Sequence, residues 1–214
     1  MLKEGRRIVT VFVILTIFCY SVSFFLNIFL LPTIFFGVLT LLLINFFRDP
    51  ERKIVKNSNF LYSPADGKVF DIVENSATYC IKIFMSVLDV HVQRSPVDGV
   101  VKKIEYKKGK FLIAGKDKTD IFNEKNIIEI ENKQQEKFII TQITGFLARR
   151  IVCWVKENQS VSQNQKIGAI LLGSQVNFEF PKDKYKILIN KNQKVYAGIT
   201  AVAVKIQHKN ESPN

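Results

Sequence analysis

Gly173-Ser174 is the one Gly-Ser pair in the chain, set between the apolar stretch Ile167–Leu172 and the strand-like Val176–Phe180. A serine hydroxyl can attack the carbonyl of the residue before it and shift the chain from nitrogen to oxygen. Glycine at that position offers the least obstruction and accepts unusual backbone angles. β-Elimination of the ester followed by hydrolysis would leave a pyruvoyl group at a new N-terminus. Taken alone, a Gly-Ser pair more often marks a turn. His91 and His208 are the only histidines. His208 lies in a polar tail, whereas His91 ends a strand-like run within Val87–Pro96 and suits proton transfer near neutral pH. Asp66 or Asp89 would orient it, as carboxylates orient bases elsewhere.

Asp66 belongs to a short repeat. Ser63-Pro64-Ala65-Asp66-Gly67-Lys68-Val69 is echoed by Ser95-Pro96-Val97-Asp98-Gly99-Val100-Val101. Both read as Pro/Asp/Gly turns entering a strand, and for Asp98 an ordinary turn is the reading adopted. Strands are expected at Val69–Val73, Thr78–Met85, Val100–Tyr106, Ile127–Glu131, Phe138–Thr144, Ile151–Val155, Ala169–Leu172, Val176–Phe180 and Ala201–Ile206. Phe146–Arg150 has the composition of a helical turn. Many short strands with frequent turn signals predict a mainly β (α+β) domain, a compact barrel or sandwich. Glu157–Gly168 has the turn-and-strand rhythm of biotinyl/lipoyl-type barrels, without their carrier lysine.

Ahead of this domain, Ile8–Phe47 runs for 40 residues without a charge. A bilayer core takes about 20 apolar residues as helix, so the run is long enough for two passes. Asn27 and Pro32 mark a break near 27–32, because Pro32 interrupts helical hydrogen bonding. The expected spans are Ile8–Leu26 and Thr33–Phe47, with residues 1–47 forming a helical membrane hairpin and 48–214 the second domain. A hairpin dipping into one leaflet fits as well as a full crossing. Lys3, Arg6 and Arg7 precede the run, and Arg48, Arg52 and Lys53 follow it, which puts both flanks, and the domain, on the cytoplasmic side of the cell membrane. The run is too long and too rich in Phe and Leu for a cleaved signal peptide.

The net charge is +12, and because residues 1–47 set Lys3, Arg6 and Arg7 against Glu4, ten of those charges fall in the second domain. A basic domain beside a bilayer suits anionic headgroups. No nucleic-acid motif accompanies the charge, so no nucleic-acid partner is expected. Three cysteines without a CxxC pair argue against a disulfide framework and a zinc site, and no metal is expected.

In order and spacing these pieces resemble the phosphatidylserine decarboxylase family in its short bacterial and archaeal form. The resemblance runs from Phe47-Arg48-Asp49-Pro50-Glu51-Arg52 through Ser63–Gly67, Asp89–Gly99, Gln142-Ile143-Thr144-Gly145 and Ala148-Arg149-Arg150-Ile151 to Leu172-Gly173-Ser174. It implies a proenzyme that cuts itself between Gly173 and Ser174 into chains 1–173 and 174–214, which stay together as a heterodimer. The pyruvoyl made from Ser174 would form a Schiff base with the amine of phosphatidylserine in the membrane and act as electron sink while carbon dioxide leaves, giving phosphatidylethanolamine. Asp66 matches an aspartate implicated in maturation, and His91 a histidine that reprotonates the product carbon. Longer members carry a second histidine where this chain has Arg94, which leaves open which base drives self-cleavage. Arg94 and Arg150 are candidate contacts for lipid phosphate or carboxylate. Association of further copies is left open. A non-enzymatic membrane adaptor with a biotinyl/lipoyl-like barrel is the alternative, and it predicts an uncut chain.

Overall fold

The computed structural model describes residues 1–53, 56–110, 119–145, 150–171 and 174–206. The chain divides into two units, Met1–Glu51 and Arg52–Asn214.

In the first unit, helix α1 (Lys3–Ser23) and helix α2 (Leu30–Phe46) are joined through a 3-10 turn at Asn27–Phe29. At 1.5 Å per residue α1 is about 31 Å long, and by length and composition Lys3–Ser23 and Asn27–Phe46, the 3-10 turn with α2, are each able to cross a bilayer. Their contact uses small polar groups that stay satisfied in an apolar setting. The Thr16 and Thr40 hydroxyls meet at 3.2 Å, and each also bonds a carbonyl one turn back, Phe12 and Phe36. The Leu2 N–H donates to the Phe47 carbonyl at 2.9 Å and closes the open end of the hairpin. Phe25 is 89% exposed and Leu31 75%, an apolar surface of the kind that marks contact with lipid or protein. Pro32 falls in the first turn of α2 rather than in the break. A first-turn residue has no intrahelical use for its N–H, so proline costs nothing there.

The second unit is mainly β. In chain order its strands are β1 (Phe60–Tyr62), β2 (Gly67–Glu74), β3 (Thr78–Met85), β4 (Val92–Arg94) and β5 (Gly99–Lys107). A four-residue helix, α3 (Thr119–Phe122), precedes β6 (Lys125–Glu131), β7 (Lys137–Thr144), β8 (Arg150–Cys153), β9 (Ser160–Val161) and β10 (Lys166–Leu171). Last among the described residues come β11 (Ser174–Pro181), β12 (Tyr185–Ile187), β13 (Lys194–Val195) and β14 (Ala201–Lys205). The expected helical turn at Phe146–Arg150 lies outside the described residues except for Arg150, which opens β8.

One sheet has eight strands in the order β13-β2-β3-β11-β7-β6-β5-β9, and two have three, β1-β14-β12 and β4-β10-β8. The large sheet reads the same from either end once β13 is matched with β9, β2 with β5, β3 with β6 and β11 with β7. The small sheets match each other in the same way. Hydrogen bonds repeat across this correspondence. The Ser63 hydroxyl donates to the Ala65 carbonyl and that of Ser95 to Val97, both at 2.7 Å. Asp66 accepts the Ala197 N–H at 2.8 Å, and Asp98 accepts that of Gln163 at 2.7 Å. Asn192 and Asn158, both at positive φ, donate their N–H to Val69 and Val101 at 2.7 Å. A Cβ on Gly67 or Gly99 would lie 2.3 or 2.5 Å from the carbonyl oxygen of Phe84 or Glu131, so only glycine lets the paired strands approach. The short repeat in the sequence is therefore the visible part of a structural duplication. Its second half, β4 to β10, is inserted between β3 and β11 of the first.

The core lies on the inner face of the large sheet. Strand alternation sends Val176, Phe178 and Phe180 of β11 inward against Ile81 and Ile83 of β3 and Ile140 of β7, all fully buried. Phe178 and Phe180 pack at 5.1 Å between ring centres, and Tyr185 stands edge-on to both Phe180 and Phe138. Phe178→Ala should cost about 3–5 kcal/mol, measured as loss of unfolding free energy in detergent. A change below about 1 kcal/mol would contradict the central place given to this ring.

Candidate active site

Ser174 is the first residue of β11 and is fully buried. It pairs with Met85, the last residue of β3, and with Thr144, the last of β7. Its hydroxyl donates to the Met85 thioether at 3.4 Å. Sulfur is a weak acceptor, so the hydroxyl is held loosely. Only residues 172 and 173 separate Ser174 from Leu171, which ends β10 in a different sheet. Gly173 lies outside the described residues, so the Gly-Ser pair is located through Ser174.

His91 immediately precedes β4 and is fully buried. Its Nδ1 lies 2.8 Å from the Asp89 carbonyl oxygen. A carbonyl can only accept, so Nδ1 carries the proton in the neutral ring and the Nε2 lone pair is the basic position. The His91 carbonyl accepts the N–H of Ile170 in β10 at 3.3 Å, which ties the histidine to the strand that leads into Ser174. Asp89 thus orients His91 through its backbone. Its carboxylate accepts the Ser86 N–H at 2.8 Å and the Ser86 hydroxyl at 2.9 Å, and it pairs with Lys194. Burial pushes this carboxyl up, but Lys194 and the two Ser86 donors outweigh it and hold the pKa below the usual carboxylate range.

Asp66 directly precedes β2, at the end of the large sheet where Met85 pairs with Ser174. Its carboxylate is buried against Arg52 at 2.7 Å and the Ala197 N–H, with both side chains of the ion pair below 10% exposed. Arg52, read from sequence as a charge flanking the membrane segment, is an interior partner that also donates to the Ala197 carbonyl. Arg94 is buried, and its guanidinium donates to the Asn164 carbonyl at 3.0 Å. Arg150 is exposed and pairs with Leu171 across β8 and β10, close ahead of Ser174.

Sequence reasoning missed a buried row of amides. Asn126 donates to Gln142 at 2.8 Å, and Gln142 donates to Gln93 at 2.9 Å. Gln93 donates to the His91 carbonyl at 3.0 Å and toward the Met85 sulfur at 3.6 Å. The His91 carbonyl fixes the direction of the row, because it forces the nitrogen of Gln93 toward itself and each following oxygen toward a nitrogen. The row crosses from β6 and β7 of the large sheet to β4 of a small one and ends on the His91 carbonyl and on Met85, which pairs with Ser174. A Cβ on Gly168 would come within 2.7 Å of the Gln142 nitrogen. The available signal was Gln142 at an inward position of Phe138, Ile140, Gln142 and Thr144. Among the described residues no three or more His, Cys, Asp or Glu side chains gather as a metal would require.

The chain belongs to a family of decarboxylases, the phosphatidylserine decarboxylases, whose model matches residues 39–203. A phosphatidylserine decarboxylase proenzyme of Pelagibacter ubique (strain HTCC1062) is 39% identical over 213 residues, covering 95% of each chain. The proenzyme of Carboxydothermus hydrogenoformans is 37% identical over 209 residues, 94% of this chain and 95% of its own. That of Wolbachia sp. subsp. Brugia malayi (strain TRS) is 39% identical over 212 residues, 94% and 89% of the two chains.

Gln142→Leu keeps the bulk but strands the Gln93 oxygen and an Asn126 N–H, and should destabilise the fold by about 1–3 kcal/mol. An unchanged unfolding midpoint would contradict the amide row. A lowered carboxyl pKa adds stability above the unfolded value of about 4 and loses it as the pH falls. Wild type should therefore lose more stability than Asp89→Asn between about pH 5 and pH 2. Parallel losses would remove Asp89 from the acid response.

Proposed function

We propose that this protein decarboxylates phosphatidylserine to phosphatidylethanolamine and carbon dioxide, after cutting its own chain between Gly173 and Ser174 and converting Ser174 to a pyruvoyl group. The observation that carries the proposal is the position of Ser174, buried at the head of a central strand and sharing the Met85 sulfur with Gln93 of the His91 segment, in a chain of this family. In the self-cleavage, the Ser174 oxygen bonds to the carbonyl carbon of residue 173 and the carbon–nitrogen bond breaks. Elimination from the ester releases residue 173 as a carboxylate, and hydrolysis of the dehydroalanine left behind releases ammonia. His91, with its lone pair on Nε2, is the base and later the proton donor in this reading. Asp66 and Arg52 act by fixing the Ala197 loop.

The site fits the group. A pyruvoyl is small and uncharged, and the Ser174 side chain sits against a thioether in a fully buried position. When formed, it supplies an electron sink for loss of the substrate carboxylate. The fragment 174–214 stays with 1–173 because β11 is hydrogen-bonded on both sides, to β3 and β7. Arg150, exposed beside Leu171, is the better placed arginine for a lipid phosphate, and Arg94 supports the turn at Asn164. The domain boundary at 47/48, the membrane hairpin and the cytoplasmic face belong to the same reading, supported by two apolar helices flanked by basic residues. The duplicated strand-and-turn units support a biotinyl/lipoyl-like barrel.

In mixed micelles, wild type should convert phosphatidylserine with release of carbon dioxide. His91→Ala should lose at least about a hundredfold in turnover, the scale of a general acid or base. Ser174→Ala should be uncut and inactive. Normal turnover by either variant would overturn the proposal.

A further inference from the structure

Ser174 and Gln175 face opposite sides of β11. Strand alternation sends Ser174 to the inner face and Gln175 to the outer one, together with Asn177 and Glu179. Gln175 is nonetheless fully buried. Its Nε2 donates to the Asp120 carboxylate at 2.5 Å and to the Asn177 side-chain oxygen at 2.8 Å. Asp120 also pairs with Lys82 of β3 at 2.6 Å, and its backbone carbonyl accepts from the Lys125 ammonium at 2.5 Å. The segment that carries Asp120 is fixed to β7 at the residue paired with Ser174. The Asn123 amide donates to the Thr144 carbonyl at 2.6 Å, and the Glu124 carbonyl accepts the Thr144 N–H at 3.0 Å and its hydroxyl at 3.1 Å. Burial pushes the Cys80 thiol on the same face up to about 12 and raises the Glu179 carboxyl. The Lys82–Asp120–Gln175 network thus stands where charges are weakly screened.

The other half of the duplication shows the same positions in an unbroken hairpin. Gly67 faces the Phe84 carbonyl and Gly99 that of Glu131, which makes Phe84 and Glu131 equivalent. Their strand partners Gln175 and Lys137 are then equivalent too, as are Lys82 and Glu129, two residues earlier. Lys137 and Glu129 pair directly, and the Lys137 side chain is 64% exposed. Beside Ser174 the two matching positions are instead bridged by a third residue, Asp120, and covered. The duplicated backbone alone does not require a covered network there.

We propose that Asp120 is a positioning residue for the chain end made by the cut. The inference rests on the self-cleavage reading above and adds what holds residue 174 afterwards. In the uncut chain, the bond to residue 173 keeps the head of β11 in place. Cleavage removes that bond, and conversion of Ser174 removes its nitrogen and its hydroxyl, and with them the contact to Met85. A strand end without anchors of its own frays. Gln175 carries the first side chain after the cut, and its partner Asp120 belongs to the other fragment, 1–173. Their hydrogen bond therefore spans the cut, and it is of the stronger, charge-assisted kind. Lys82 and the Asn123–Thr144 contact keep Asp120 from following the strand end. Asp120 lies on the face away from the Ser174 side chain, so it acts on the position of the new chain end and not on the breaking bond.

The test reads amide hydrogen exchange at Gln175 and Val176 in the full chain in detergent, with the cut followed by intact mass. Asp120→Ala should be cut like wild type, and exchange at the two amides should rise by about tenfold or more, the scale of one hydrogen bond to a charged group. In the uncut Ser174→Ala background the same substitution should change exchange by less than about twofold, because residue 173 still tethers the strand. Asp120→Asn keeps the volume and an acceptor for Gln175 but loses the ion pair with Lys82. It should show the same dependence on the cut at smaller size, and it replaces the alanine variant if that one does not fold. An equal rise with and without the cut would make Asp120 a structural residue and overturn the proposal. No rise in the cut chain, or a folded Asp120 variant that is not cut, would overturn it too. A wild-type chain that is not cut would overturn the self-cleavage reading along with it, so the two failures are distinguishable.

Discussion

The insertion of β11 between β3 and β7 is the constraint on which the rest of the structure depends. Eight of its residues are paired with β3 and six with β7, so it has the interior position in the large sheet. That placement buries Val176, Phe178 and Phe180 and thereby forms the core. It also fixes Ser174 in the ladder with its side chain on the inner face. A strand held on both sides can lose its covalent link to the preceding residue without leaving. Cleavage at residue 173 would then change the chemistry of the chain end and not the fold around it.

The second requirement is to bring His91 to this strand from a different sheet. Backbone groups do this more than side-chain ions. The Asp89 carbonyl sets the tautomer of His91, the Ile170 N–H holds its carbonyl, and the Gln93–Gln142–Asn126 row joins that carbonyl to the large sheet. A buried polar row is stabilising only when every member is satisfied. The fixed direction of this one leaves little freedom at the site. The charged pairs sit one layer further out, Asp89 with Lys194 and Asp66 with Arg52, and hold the turns that frame it.

Much of the fold was legible in the sequence where alternation was long enough. β11 shows it from Gln175 to Phe180 and β3 around Ile81, Lys82 and Ile83, whereas β9 and β13 have two residues each and leave no period. The Ser-Pro-x-Asp-Gly repeat was visible, but its extent was not. Lys191–Gly198 and Glu157–Asn164 share only Asn, Gln and Val at matching positions, and their equivalence lies in backbone bonds. Asp66 and Asp98 could not be told apart from sequence, because what separates them is the buried guanidinium of Arg52. Pro32 was placed in the hairpin break because proline disfavours helix, but the first helical turn tolerates it. Ser174 and His91 were legible as chemistry. Gln93 and Gln142 were not, since a buried amide differs from an exposed one only by its surroundings.

The central claim is that Ser174 becomes the chain end, and the denatured intact mass of the purified protein tests it most directly. The account predicts two chains, 1–173 and 174–214, the smaller carrying a pyruvoyl group in place of its N-terminal serine. A single chain of full mass in protein that is active on phosphatidylserine would contradict it.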